Sequence, residues 1–158
     1  MSSMPAYHVG ILVRDIAEAR RRFSAALGIA FGPVEPRVLT FTSGEADEVV
    51  LCYSVEGPPY IELIEAKGAG LFGVQHPEGV HHIGAWVTDG PSHCAALQAQ
   101  SVGVDRQLQS SDGPYGRSEN FMWFNDPAHL HGVRFEFVDD SMRAALEERF
   151  ATGRETAD

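Results

Sequence analysis

The chain carries one pattern twice. Tyr7-His8-Val9-Gly10-Ile11-Leu12-Val13-Arg14-Asp15 matches His81-His82-Ile83-Gly84-Ala85-Trp86-Val87-Thr88-Asp89 at an offset of 74 residues. His8 falls on His82, Gly10 on Gly84, Val13 on Val87 and Asp15 on Asp89. Tyr60-Ile61-Glu62-Leu63-Ile64-Glu65 matches Arg134-Phe135-Glu136-Phe137-Val138-Asp139 at the same offset, which pairs Glu62 with Glu136. A long period present only twice marks a duplicated supersecondary module, not a solenoid. Whatever the chain folds into must place two copies of one unit, each with one His and one Glu.

The unit reads β-α-β-β-β. Tyr7 to Val13 alternates as a strand, with His8, Gly10 and Leu12 on one face and Tyr7, Val9, Ile11 and Val13 on the other. Asp15 with Glu18 three residues on resembles a capping box. The helix it opens carries Ile16, Ala19, Phe23 and Leu27 at helical spacing, and Gly28 closes it. Arg20, Arg21 and Arg22 are read as its solvated face. Strands are predicted at Arg37 to Thr42, Glu48 to Ser54 and Tyr60 to Ala66, separated by turn residues. The second copy is predicted as a strand from Val80 to Val87 and a helix from Ser92 to Ala99. Strands then follow at Val104 to Gln109, Glu119 to Phe124 and Gly132 to Val138, with a loop at Ser110 to Gly116.

The domain plan is therefore residues 1–66, a glycine-rich linker at 67–79 that can double as a flap, residues 80–139, and a C-terminal helix and tail at 140–158. Met142, Leu146 and Phe150 form an apolar stripe on that helix, suited to the sheet edge or to a partner chain. The tail from Thr152 is expected to fray.

Composition narrows the partners. With 44% hydrophobic and 22% charged residues the chain is of ordinary globular type, and its net charge of −10 argues against nucleic acid or an anionic membrane. Arg37, Lys67, Arg106, Arg117 and Arg134 remain as a possible local patch for an anionic substrate. No apolar run approaches the ~20 residues needed to cross a bilayer, and no signal peptide is evident. Cys52 and Cys94 read as buried free thiols, which places the protein in the cytoplasm.

The polar exceptions inside otherwise apolar strands are His8, Glu62, His82 and Glu136. If first and last strands of each module lie close, a pseudo-twofold brings all four together. Two imidazoles and two carboxylates suit a divalent ion such as Mn, Fe, Co, Ni or Zn, with positions left for water or substrate. Gly10 and Gly84, two residues beyond each His on the same face, remove side chains where a substrate needs room. Trp86 shares the face of His82 and is a candidate wall of the substrate pocket, or equally core. His81 points to the opposite face by strand alternation and reads as a core or supporting histidine. His131 is the remaining histidine expected nearest the site.

These modules resemble the vicinal oxygen chelate superfamily, which holds glyoxalase, methylmalonyl-CoA epimerase, extradiol dioxygenases and bleomycin resistance proteins. The similarity runs from about Tyr7 to Asp139 and is carried by the two His-x-Gly and two Glu-bearing strands quoted above. It implies an α+β fold in which two tandem βαβββ modules form a cupped, mostly antiparallel sheet. Within the superfamily the chain looks most like the glyoxalase and epimerase branch, which implies His8, Glu62, His82 and Glu136 as metal ligands.

The branch chemistry is proton abstraction next to a carbonyl, with the metal as Lewis acid for the developing enediolate and a carboxylate moving the proton. Glu136 is the ligand assigned as base, and Glu35 is a weaker second candidate. The resemblance thus favours a metal-dependent isomerase or lyase, on a small-molecule substrate, in a homodimer. A non-catalytic binder of an antibiotic or natural product ranks second. A ring-cleaving dioxygenase ranks third, because Glu62 would fill the position that dioxygen needs.

Overall fold

The computed structural model describes residues 4–109 and 122–155. In chain order it comprises β1 (Ala6–Val13), α1 (Ile16–Leu27), β2 (Glu35–Thr40), β3 (Ala46–Tyr53), β4 (Tyr60–Glu65), β5 (Gly79–Val87), α2 (Gly90–Gln98), β6 (Val104–Gln107), β7 (Met122–Asn125), β8 (Phe135–Asp139) and α3 (Arg143–Glu155). The expected loop at Ser110 to Gly116, Arg117, and the start of the strand predicted from Glu119 lie outside the described residues. Thr152 to Glu155, expected to fray, continue α3.

Local chemistry sets the helix ends. Asp15 is extended and accepts a hydrogen bond from the Glu18 amide at 2.9 Å, and Gly28 takes a left-handed conformation at φ 69° to end α1. At the matching place Asp89 caps α2 by accepting from the Ser92 amide. Ile16 is buried against the sheet with Ala19 and Phe23 beside it, whereas Leu27 at the end of the predicted stripe is exposed.

All eight strands form one sheet in the order β2-β3-β4-β1-β5-β8-β7-β6. In each copy the first strand pairs in parallel with the last, β1 with β4 and β5 with β8, and the other named pairs are antiparallel. The two copies meet at β1 and β5, which run antiparallel across the middle. The sheet curls far enough for its outer strands to touch. Phe41 bridges Leu108, the Thr42 amide donates to the Gln107 carbonyl, and the Gln109 amide donates to the Thr40 carbonyl. This seam satisfies edge groups of β2 and β6 that would otherwise be open to other chains.

Helices α1 and α2 cover the outside of the curl, over cores that include Leu63 and Cys52 in one copy and Phe137 and Cys94 in the other. Both cysteines are buried and free. The inside is filled by Leu12, Phe41, Ile64, Phe72 and Phe124. The C-terminal stripe packs on its own chain: Met142, in the turn before α3, and Leu146 and Phe150 on α3 close over Tyr7, Tyr60 and Trp86. The glycine-rich linker is pinned, not free as a flap. Leu71 and Phe72 are buried in the inner core, and the Leu71 amide donates to Asp47 at 2.7 Å.

The seam generates a stability prediction. Phe41 is 1% exposed and Val38 on the same edge is 67% exposed. Phe41→Ala is expected to cost about 3–5 kcal/mol by opening a cavity at the closure, and Val38→Ala less than about 0.5 kcal/mol. Equilibrium denaturant unfolding of both variants checks the contrast.

Candidate metal centre

Strand register brings the four polar residues together. Parallel pairing sets Gly10 beside Glu62 on β4 and Gly84 beside Glu136 on β8. Antiparallel pairing of β1 and β5 sets Gly10 opposite His82 and His8 opposite Gly84. Each glycine therefore lies between the imidazole of the other copy and the carboxylate of its own. A Cβ on Gly10 would sit 2.2 Å from Cε1 of His82, and one on Gly84 would sit 2.1 Å from Nδ1 of His8. These positions were expected to leave room for a substrate. The imidazoles fill that room, so the glycines are needed for the cluster to close.

The four side chains converge within a single chain. His8 Nε2 and His82 Nε2 are 2.8 Å apart. Glu62 Oε2 stands 3.3 Å from the first and 3.2 Å from the second, and Glu136 Oε2 stands 3.1 Å and 3.5 Å away. The ligating atoms of His8, Glu62 and His82 all lie within 4.8 Å of one another. Two donors each ~2.1 Å from one ion and at right angles are ~3.0 Å apart, so these spacings fit neighbouring positions around a divalent cation. Glu62 Oε2 is buried and makes no hydrogen bond, although both imidazoles face it. The donor set fits a borderline divalent ion.

Burial would neutralise any of these groups alone, and their mutual charges override it. Desolvation pushes His8 down, but the Glu62 and Glu136 carboxylates lift it to about 9. His82 is raised against burial by the same two carboxylates, Glu136 first. Glu62 and Glu136, which burial would raise, are instead held below the usual carboxylate range by the two imidazoles.

Two contacts escaped the sequence. Tyr53 donates its hydroxyl to Glu62 Oε1 at 2.5 Å. Tyr7, expected on the outer face, lines the cavity that holds Glu62, His82 and Glu136. It does so because β1 carries an irregularity between Ala6 and His8 that makes Tyr7 an extra residue against β5. The same register break on β5 makes His81 the extra residue, 74 positions on. His81 therefore does not face outward. Its Nδ1 lies 3.1 Å from Nδ1 of His82. A mismatch in pairing register between two aligned strands leaves no trace in residue type.

The cavity over the cluster is about 90 Å³, with apolar walls including Leu39, Leu51 and Phe72 and a roof formed by Leu146 and Arg149 of α3 and by Met142 in the turn just before it. Trp86 does not line it. Its ring stacks on Tyr7 with centroids 3.9 Å apart, as core beneath α3. Glu35 lies outside the cavity and pairs with Arg37 and Arg149, which latches α3 to β2. His131 is exposed in a turn after β7 and does not line the cavity. Of the expected basic patch Arg37 lines the cavity, whereas Lys67 pairs with Glu65, Arg106 with Asp105 and Glu45, and Arg134 with Asp105.

Comparison with known proteins follows the geometry. A family model described as the Glyoxalase/Bleomycin resistance protein/Dioxygenase superfamily matches residues 7–116. No curated protein matches the sequence significantly. Among solved structures, a hypothetical protein from Bacillus halodurans is similar at 20% identity and TM-score 0.64, over 87% of this chain and 95% of that one. A Streptomyces coelicolor methylmalonyl-CoA epimerase variant in complex with 2-nitronate-propionyl-CoA is similar at 23% identity and TM-score 0.61, over 87% and 95%. The methylmalonyl-CoA epimerase from Mycobacterium tuberculosis is similar at 19% identity and TM-score 0.59, over 85% and 86%. At these identities the structural likeness establishes the curled α+β fold.

The raised imidazoles give a pH dependence for the protein in chelator. A His lifted from 6.5 to about 9 adds stability that is complete below the unfolded value and lost as pH rises through about 9. The lowered carboxylates add stability that is present above their unfolded value of 4.5 and lost as pH falls below it. The melting temperature in chelator is expected to peak between about pH 5 and 7, then fall toward pH 9. His8→Ala should flatten the alkaline limb, and a limb that is unchanged in this variant would contradict the coupling.

Proposed function

The chain belongs to the glyoxalase/bleomycin resistance protein/dioxygenase superfamily, and we propose that it is a divalent-metal-dependent isomerase or lyase that moves a proton next to a carbonyl. The observation that carries this reading is the convergence of two imidazoles and two carboxylates at the floor of a small, mostly apolar cavity. His8, Glu62, His82 and Glu136 would hold the ion. When bound, the ion supplies Lewis acidity to a carbonyl oxygen of the substrate.

The protein's own residues divide the remaining work. Tyr53 holds one oxygen of Glu62, which fixes that carboxylate and lowers its basicity. Among the described residues Glu136 has no such hydroxyl donor, and its side chain is the more exposed of the two, 11% against 5%. Glu136 is therefore the carboxylate free to take a proton and return it. The apolar walls and the α3 roof keep bulk water from the reacting carbon. The donors all come from one chain, so the site does not need a second copy, whether or not a homodimer forms.

Cavity size favours this reading over sequestration. Drug-sized ligands occupy pockets of roughly 300–1,000 Å³, and the cavity here is about 90 Å³. That volume suits the reacting end of a 2-oxo compound or acyl thioester better than a whole antibiotic. No helix among the described residues is long and apolar enough to cross a membrane. Together with the two buried thiols, this supports a small-molecule enzyme of the cytoplasm.

Reconstitution with Mn, Fe, Co, Ni or Zn should load near one ion per chain, and His82→Ala and Glu62→Ala should each abolish loading. In heavy water the loaded protein should exchange the α-hydrogen of a 2-oxo compound or acyl thioester. Glu136→Gln is expected to slow exchange about 100-fold or more. An ion that binds in both alanine variants removes the metal assignment. A loaded protein that exchanges nothing across the panel, yet holds one compound tightly, favours the binder instead.

A further inference from the structure

We propose that His81 is a positioning residue: it fixes His82 as the tautomer with its proton on Nδ1, so that a bare Nε2 faces the cluster. The consequence for metal binding rests on the reading above, whereas the hydrogen-bond chain does not.

Three atoms in series decide where the protons lie. The Leu71 carbonyl oxygen can only accept, and it is 3.0 Å from Nε2 of His81. The proton of that imidazole is therefore on Nε2, and its Nδ1 is bare and can only accept. The nitrogen facing it at 3.1 Å is Nδ1 of His82, which must donate. In the neutral His82 ring Nε2 is then the lone-pair nitrogen, and it is this atom that stands 2.8 Å from His8 Nε2 and 3.2 Å from Glu62 Oε2. A nitrogen ligand must present that lone pair to an ion.

The surroundings hold His81 in the neutral form that this chain requires. Its ring packs against Phe72 at 4.8 Å between centroids, and among the described residues no carboxylate pairs with it. The supporting carbonyl comes from the linker between the two copies, where Leu71 and Phe72 are 4% exposed. Both ends of the chain of bonds are thus held by packed elements.

The duplicated framework carries this device only once. The residue equivalent to His81 is Tyr7, also displaced by a register break, and its ring meets His8 edge-on at 4.4 Å. Among the described residues Nδ1 of His8 has no hydrogen-bond partner. His82 is therefore the preset ligand of the pair, whereas nothing among the described residues holds a proton on Nδ1 of His8.

The test reads ring nitrogens and ion affinity separately. In ¹⁵N spectra of the metal-free wild type, Nδ1 of His82 should stay protonated through a pH titration while Nε2 gains and loses its proton. His81→Phe keeps the bulk against Phe72 but removes both nitrogens, and it should yield mixed His82 tautomers. His81→Gln offers an acceptor and a donor in the same place and should restore the single tautomer. Zinc affinity is expected to fall about 10–100-fold in His81→Phe and to stay within about threefold of wild type in His81→Gln.

A wild-type His82 carrying its neutral-state proton on Nε2 overturns the proposal, as does a folded His81→Phe that keeps a single tautomer and wild-type zinc affinity. Should His81→Phe fail to fold, the wild-type and His81→Gln spectra decide. A wild type that binds no zinc refutes the metal reading alone, since the ring-nitrogen result still stands or falls by itself.

Discussion

Four ionisable side chains share one dry point, and the rest of the structure is arranged around making that tolerable. Taking one carboxylate out of water costs several kcal/mol unless an opposite charge meets it. Here two carboxylates meet two imidazoles at 3.1 to 3.5 Å. The same negative charge can be balanced by protons on the two imidazoles or by one divalent ion on their bare nitrogens. Proton and metal are thus exchangeable partners of one anionic pair, and the cluster is compatible with a folded chain in either state. The charges that lift His8 to about 9 are the charges that would hold the ion.

The geometry comes from duplication combined with two kinds of strand pairing. Parallel pairing of the first and last strand puts each glycine beside the Glu of its own copy, and antiparallel pairing of β1 with β5 puts it opposite the His of the other. Removing either relation would scatter the donors. The paired register breaks at Tyr7 and His81 then turn one more ring per copy toward the interior, where alternation would have sent it outward. One became a wall and the other a hydrogen-bond partner of a donor. Two copies of a unit that began alike have taken different supporting roles around nearly equivalent principal residues.

Enclosure is the second theme. The β2–β6 seam, the buried linker residues Leu71 and Phe72, and the α3 roof each reduce the space over the cluster, leaving about 90 Å³. Water has a volume of ~30 Å³ per molecule, so the interior accepts only a few waters or a small reacting group. Low dielectric strengthens every charge–charge contact there.

The amino-acid sequence by itself determined the repeat, the β-α-β-β-β order and the four principal residues. Each of these leaves a local mark: an offset of 74, a period of two or of 3.6, an Asp cap at Asp15, a glycine stop at Gly28, and polar residues where apolar ones are due. It also reached the position of the C-terminal stripe, though not which surface that stripe covers.

Only the tertiary structure decided the functions of the glycines, of Tyr53 and Tyr7, of Trp86 and of His81. Those depend on which residues of distant strands face one another, and a shift of one residue in pairing reverses the face on which a side chain lies. Strand alternation assumes regular pairing, and β1 and β5 break it at the two residues beside the histidines. Pairwise register is a property of two strands at once, so neither strand's sequence contains it.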